Sequence, residues 1–498
     1  MKKNLLSITR KYRVCFLLSL VVTVVFVVYP IHLKAVESRN LVSDSITNIN
    51  TKDAISLLSK CESTQHCQIG FFIGEVENGS TLLDYRGGSR MIPASVVKLI
   101  STGVALQYYG PNAKFITEVD YLGDIKSGTL YGDLIIRGSG DPSLGTKYIN
   151  GERERFFTEL LTSLKKVGIK AIDGKIIIDA SSFKPFESSV QWLFEDLGEY
   201  YGVSLFGLNM YDNVIKCQVS ALQDSTITVD FPDGFSDFLN VKNEINIDSY
   251  KDITVLGDPI SNVRVLRGGI SLGKSKEIAV SNGDPALYAA KLLTMYLNEK
   301  GVSISGNPIA YYRDCPKYDS SVDIFRFYSK PFSQLVKETN YRSLNLWANA
   351  FMGLLDQRLP KSIQSGLLIA QNYLTSKCEI DRSEFDLYDG CGLSPKDRIT
   401  PSALASFLLN IYNAHPDVST AFYYSLPLAG VEGSVKSFVL KPPLSARLKS
   451  GSMEGVQTYA GYVRKGGKDY IVVMMANGFT DRTIIRKTFR EALEKYFL

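Results

Sequence analysis

Histidine is nearly missing from this chain. Only His32, His66 and His415 occur in 498 residues. A serine nucleophile of the Ser-His-Asp kind needs one histidine set as its general base. His32 borders an apolar run, His66 lies one residue from Cys67, and His415 sits between Asn413-Ala414 and Pro416, as in a loop. None has that setting, so an activated serine here points to lysine as its partner. Neither Cys-x-x-Cys nor His-Glu-x-x-His occurs, so no zinc site is expected, and no other cofactor is implied. Net charge is also lacking. Lys2, Lys3, Arg10, Lys11 and Arg13 account for the whole excess of +5, leaving 51 basic residues against 51 acidic ones. Without a basic face, nucleic acid is excluded as the expected partner.

Long apolar runs are absent except for Val14–Tyr29, interrupted only by Ser19 and Thr23. A basic start followed by a short apolar stretch is the form of a secretory signal or signal anchor. Residues 1–36 are therefore expected to export the rest to the periplasm or cell envelope, with the segment either cleaved or kept as an inner-membrane anchor. Outside that run lie six cysteines, an even number that permits disulfides in an exported chain. Cys61–Cys67 is the preferred local pair and Cys378–Cys391 a second candidate.

The length allows roughly three domains. Gln68–Val76 and Thr81–Tyr85 read as a hairpin, followed by a buried helix ending at Tyr109-Gly110-Pro111. Short strands dominate from about Phe115 to Tyr312, with helices at Arg153–Val167 and Asp284–Lys300. Helical periodicity returns over Ser333–Leu355, Ser362–Ser376 and Thr400–Tyr412. Three strands follow, Ala446–Ser452, Val456–Arg464 and Asp469–Asn477, then a last helix capped by Thr480 or Asp481. The expected fold is α/β (α+β), a helix-covered antiparallel sheet over 37–114 and 313–498, with a mostly-β insertion over 115–312. Gly268-Gly269-Ile270-Ser271-Leu272-Gly273-Lys274-Ser275 matches the phosphate-loop pattern, but a short strand and turn, not a helix, follow it, so nucleotide binding is not expected.

The chemistry centres on Pro93-Ala94-Ser95-Val96-Val97-Lys98. A three-residue spacing puts the Ser95 hydroxyl and the Lys98 amine on one helical face, as nucleophile and base. Ser-x-x-Lys recurs at Ser163/Lys166, Ser181/Lys184 and Ser271/Lys274, so the motif alone decides nothing. Two more constellations accompany it, Ser343-Leu344-Asn345 and Lys449-Ser450-Gly451-Ser452. The order Ser-x-x-Lys, Ser-x-Asn, Lys-Ser/Thr-Gly is the set of the penicillin-recognising serine enzymes.

With Gly132-Asp133-Leu134 through Ser143-Leu144, Asp389-Gly390-Cys391-Gly392-Leu393-Ser394 and Leu426-Pro427-Leu428 through Glu432-Gly433, the chain resembles the class C low-molecular-mass penicillin-binding proteins, the D-alanyl-D-alanine carboxypeptidase/endopeptidase family. About 250 residues part the first motif from the second, as in that class and unlike the compact β-lactamases. Leu344, Ser450 and Cys391 replace the aspartate, threonine and serine more usual in the family. Cys391 puts either a disulfide or a thiol beside the cleft.

The resemblance implies a serine DD-peptidase acting on D-Ala-D-Ala termini or D-Ala-containing cross-links of peptidoglycan stem peptides, with β-lactams as covalent inhibitors. Ser95 is its expected nucleophile, Lys98 its base and Ser343 its proton relay. Asn345 would hold substrate amides and help fix the lysine. Lys449 and Ser450 would bind the substrate carboxylate, and Gly451 would let a backbone lie close. The backbone N–H groups of Ser95 and Ser452 would form the oxyanion hole. Two alternatives stand beside it: a cell-wall scaffold that binds without cutting, and a β-lactamase, marked by rapid penicillin turnover.

Overall fold

The computed structural model describes residues 49–187, 191–231, 238–248 and 252–498. The basic start, the run Val14–Tyr29 and the boundary expected at residue 36 lie outside the described residues. Among those described, no helix is long and apolar enough to cross a membrane.

A helix, Ile49–Gln65 (α1), leads into Gln68–Glu75 (β1) and Thr81–Tyr85 (β2). The hairpin between them is held by Gly79 at φ +73° and by the Asn78 carboxamide, which accepts from Ser80 N at 2.8 Å. Lys98–Tyr109 (α2) follows and stops at Gly110, φ +77°. The chain returns to this domain through Phe332–Arg342 (α3), Asn345–Leu354 (α4), Ile363–Lys377 (α5), Pro401–Tyr412 (α6) and Pro416–Ser425 (α7). Ser445–Met453 (β3), Val456–Lys465 (β4), Lys468–Asn477 (β5) and Arg482–Phe497 (α8) complete it. The five strands form one antiparallel sheet in the order β3-β4-β5-β1-β2.

Both faces of this sheet are covered, and the side-chain period of two divides each strand between them. Val472, Met474 and Ala476 pack with Phe71, Leu58 and Phe489 under α1 and α8. Ile471, Val473 and Met475 face the other way, into the large core built from Ile100, Trp347, Leu408 and Phe422. Capping agrees with the sequence: the carboxylate of Asp481 accepts from Thr483 N and Ile484 N, and the hydroxyl of Thr400 accepts from Ala403 N. His415 lies in a loop, as expected, and caps the helix Pro416–Ser425, which begins on a proline.

The insertion is built on strands Ile116–Lys126 and Thr129–Arg137 and carries two further three-stranded sheets. Val322–Tyr328 pairs antiparallel with Ile116–Lys126, so this sheet extends past the expected return at residue 313. The phosphate-loop look-alike is split between two strands, Val263–Ile270 and Ser275–Ser281, with a tight turn between them and no helix. All six described cysteines are free, which corrects the expected Cys61–Cys67 and Cys378–Cys391 pairs. Cys378 packs on the large helical core, whereas Cys391 packs against Trp192 and Ala348, so the two belong to different clusters.

Candidate active site

The stretch that carries Ser95 and Lys98 is not one continuous helix. Ala94–Val97 forms a 3₁₀ turn that feeds α2 at Lys98, and Ala94 takes a positive φ of 48°. In a 3₁₀ turn residues three apart eclipse, so Ser95 and Lys98 are brought closer than an α-helix would bring them. The Lys98 amine bonds the Ser95 hydroxyl at 2.9 Å and donates to the Cys391 carbonyl at 2.6 Å. Lys98 is fully buried.

Ser343 breaks the helix expected over 333–355. Its left-handed φ of 61° closes α3, Leu344 is extended, and Asn345 opens α4. That break turns the Ser343 hydroxyl toward β3, where it accepts from Lys449 Nζ at 3.0 Å. Lys449 Nζ also donates to the Ser450 carbonyl at 2.5 Å, and the Ser450 hydroxyl donates to Ser434 Oγ at 2.7 Å. Asn345 does not fix the lysine as expected: its amide donates to the Tyr201 carbonyl of the insertion at 2.9 Å. Gly451 lies where a Cβ would stand 2.3 Å from Thr458 Oγ1 and 2.8 Å from Ser95 N. The Thr458 hydroxyl in turn donates to Pro93 O at 2.7 Å, so β3 and β4 clamp the turn that carries Ser95.

Burial lowers the pKa of Lys98, opposed by Cys391, Asp389 and Asp397. Cys391 contributes little of that opposition, because burial holds its own thiol protonated, well above its ordinary range. Lys449 is pushed well below its ordinary value, first by burial and then by the charge of Lys98.

Ser95, Ser343, Asn345 and Ser452 line one cleft of about 810 Å³, whose far wall includes Tyr200 and Tyr201 from the insertion. Lys98 and Lys449 stand behind the wall with only their amines directed at the serines. Sequence reasoning missed two parts of this arrangement. One is the Cys391 carbonyl as partner of Lys98, although Asp389-Gly390-Cys391-Gly392 carries the turn signal that shapes its loop. The other is the contribution of the insertion, through Tyr201 and through Trp192, whose indole donates to Asp389 at 2.7 Å.

Residues 52–496 match the model of the D-Ala-D-Ala carboxypeptidase 3 (S13) family. The chain is 26% identical over 471 residues to the D-alanyl-D-alanine carboxypeptidase DacB of Haemophilus influenzae, a match covering 91% of this chain and 93% of that one. Its fold is similar to the crystal structure of penicillin binding protein 4 (dacB) from Haemophilus influenzae, with a TM-score of 0.77 at 24% identity over 91% of this chain and all of the other. The structure of that protein complexed with a β-lactam superposes with a TM-score of 0.72 at 23% identity, covering 90% of this chain and 100% of that one.

Proposed function

The chain belongs to the D-Ala-D-Ala carboxypeptidase 3 (S13) family and is a serine DD-peptidase, and on that premise we propose that Ser95 is its nucleophile and Lys98 its general base. The observation that carries this is the 2.9 Å contact between the two in a setting that disfavours a charged amine. Neutral Lys98 takes the Ser95 proton as Oγ attacks the carbonyl carbon of the terminal D-Ala-D-Ala bond. The carbonyl becomes an oxyanion held by the Ser95 and Ser452 backbone N–H groups, each such donor typically lowering the barrier by about 3 kcal/mol. Collapse breaks the C–N bond as Ser343 gives its hydroxyl proton to the departing D-alanine amine and regains one from protonated Lys98, which leaves Lys98 neutral again. Water then attacks the acyl-enzyme and frees Ser95.

Lys449 and the Ser450 hydroxyl anchor the free carboxylate of the substrate, and Asn345 holds its backbone amide. A penicillin presents a strained amide and a carboxylate in similar positions, so it acylates the same serine. We place the enzyme outside the cytoplasmic membrane, acting on peptidoglycan stem peptides. Release of D-alanine from a pentapeptide ending in D-Ala-D-Ala tests the reading. The wild-type chain should release it and Ser95→Ala should not; release by both would remove Ser95 from the reaction.

A further inference from the structure

Asp389 is fully buried, yet it forms no ion pair among the described residues. Its charge is met by five N–H groups instead. Oδ1 accepts from Cys391 N at 2.9 Å and Gly392 N at 2.5 Å. Oδ2 accepts from Leu393 N at 3.1 Å, Ser394 N at 2.8 Å and the Trp192 indole at 2.7 Å. Five donors saturate the lone pairs of a carboxylate, which is what a buried charge without a cation requires.

Four of these donors are consecutive, so the carboxylate winds the loop 391–394 around itself. Two contacts to the catalytic turn follow from that winding. The Cys391 carbonyl is aimed at Lys98 Nζ, 2.6 Å away. Gly392, at φ +77°, lies flat on the nucleophile turn: a Cβ there would stand 1.9 Å from Ala94 O and 3.1 Å from Ser95 N. One carboxylate thus fixes both the acceptor that orients the amine and the floor beneath the serine. The fifth donor comes from the insertion. Trp192 is nearly buried against Cys391 and Ala348, with its N–H spent on Asp389.

We propose that Asp389 is a positioning residue for Lys98 and that Trp192 makes this positioning depend on the inserted domain. The inference rests on the reading of Lys98 as base. A scaffold role alone would make the loop stable; positioning makes the acylation step itself sensitive to the loop. The groups facing the Lys98 amine are Ser95 on its own turn, Lys449 on β3, and Cys391, Asp389 and Asp397 on the loop side. Burial holds the Cys391 thiol in its protonated form, and of the two carboxylates on the loop side Asp389 favours a proton on Lys98 more than Asp397 does.

The test is the acylation of the full chain by a fluorescent penicillin, resolved into a non-covalent affinity and an acylation rate constant across pH. Trp192→Phe keeps the packing and removes one hydrogen bond to a charged group. Its acylation rate constant should fall about tenfold while affinity stays within about twofold. Asp389→Asn should lower the rate constant about 100-fold through lost orientation. It should also move the acid limb of the rate profile to lower pH, because a negative charge beside Lys98 is gone. Wild-type acylation constants in Trp192→Phe, or an unmoved acid limb in folded Asp389→Asn, would overturn the proposal. If Asp389→Asn does not fold, Trp192→Phe decides alone. Failure of the underlying reading looks different: the wild-type adduct would then sit somewhere other than Ser95.

Discussion

Lys98 and Lys449 reach the site from a helix and a strand, and each places its amine on a serine hydroxyl, 2.9 Å to Ser95 and 3.0 Å to Ser343. Neither side chain exposes any surface. Burial disfavours two adjacent ammonium groups and lowers the pKa of both amines. Titration of such a pair is shared between its members. A carboxylate arriving at Lys449 stabilises the cation there, and that cation then repels a proton from Lys98. Binding the acidic end of the ligand therefore favours the neutral base.

Acylation should accordingly rise with pH through an acid limb below the ordinary lysine value of 10.5. In Lys449→Met the ligand carboxylate remains but the repelling cation does not, so protonated Lys98 is favoured and the limb in the bound complex moves to higher pH. Affinity should fall about 10- to 100-fold, the worth of a charged hydrogen bond of about 1.5–3 kcal/mol. Stopped-flow acylation across pH reads both; an unmoved limb with unchanged affinity would remove Lys449 from carboxylate binding.

Steric contact around the serine should be visible in glycine substitutions. Gly451→Ala would place a methyl group 2.3 Å from Thr458 Oγ1 and 2.8 Å from Ser95 N, against a hydroxyl that is itself tied to Pro93. Gly466, in the β4–β5 turn at φ +57°, has open space around it, so Gly466→Ala meets only the left-handed penalty of about 1–2 kcal/mol. Gly451→Ala should lower both the melting temperature and the penicillin acylation rate, whereas Gly466→Ala should lower the first and spare the second. Equal acylation rates in the two variants would contradict the clamp on Ser95.

The thiols should be inert in the folded chain. Burial raises Cys217 to about 11 and Cys67, Cys315 and Cys378 to about 12, and holds Cys391 well above its ordinary range. Thiolate is the reactive form, so iodoacetamide at pH 8 should leave Cys391 unmodified and penicillin labelling intact until the chain is denatured. Rapid alkylation of Cys391 with loss of labelling would show an exposed thiol beside the cleft.

What the sequence could reveal follows the range of the interactions. Ser95 and Lys98 are three residues apart, so their pairing is local and readable. Lys449 and Ser343 are brought together by tertiary packing, and only the joint order of three motifs pointed to them. Ser343-Leu344-Asn345 could be read as helix or loop, because a left-handed serine leaves no periodic trace inside an apolar helical pattern. Strand Asn240–Ile247 escaped notice because only Ile245 of its eight residues is buried and Asn243 interrupts the alternating apolar positions Val241, Ile245 and Ile247, so the signal is weak. The partner of Asn345 and the fifth donor to Asp389 lie in the insertion, at Tyr201 and Trp192, beyond the reach of any local pattern.

The account depends above all on one covalent bond, and intact-protein mass spectrometry after brief exposure to penicillin examines it most directly. The wild-type chain should gain the mass of one penicillin, mapped by digestion to the peptide bearing Ser95, and folded Ser95→Ala should gain none. An adduct of equal yield on both proteins, or one mapped to another residue, would contradict it.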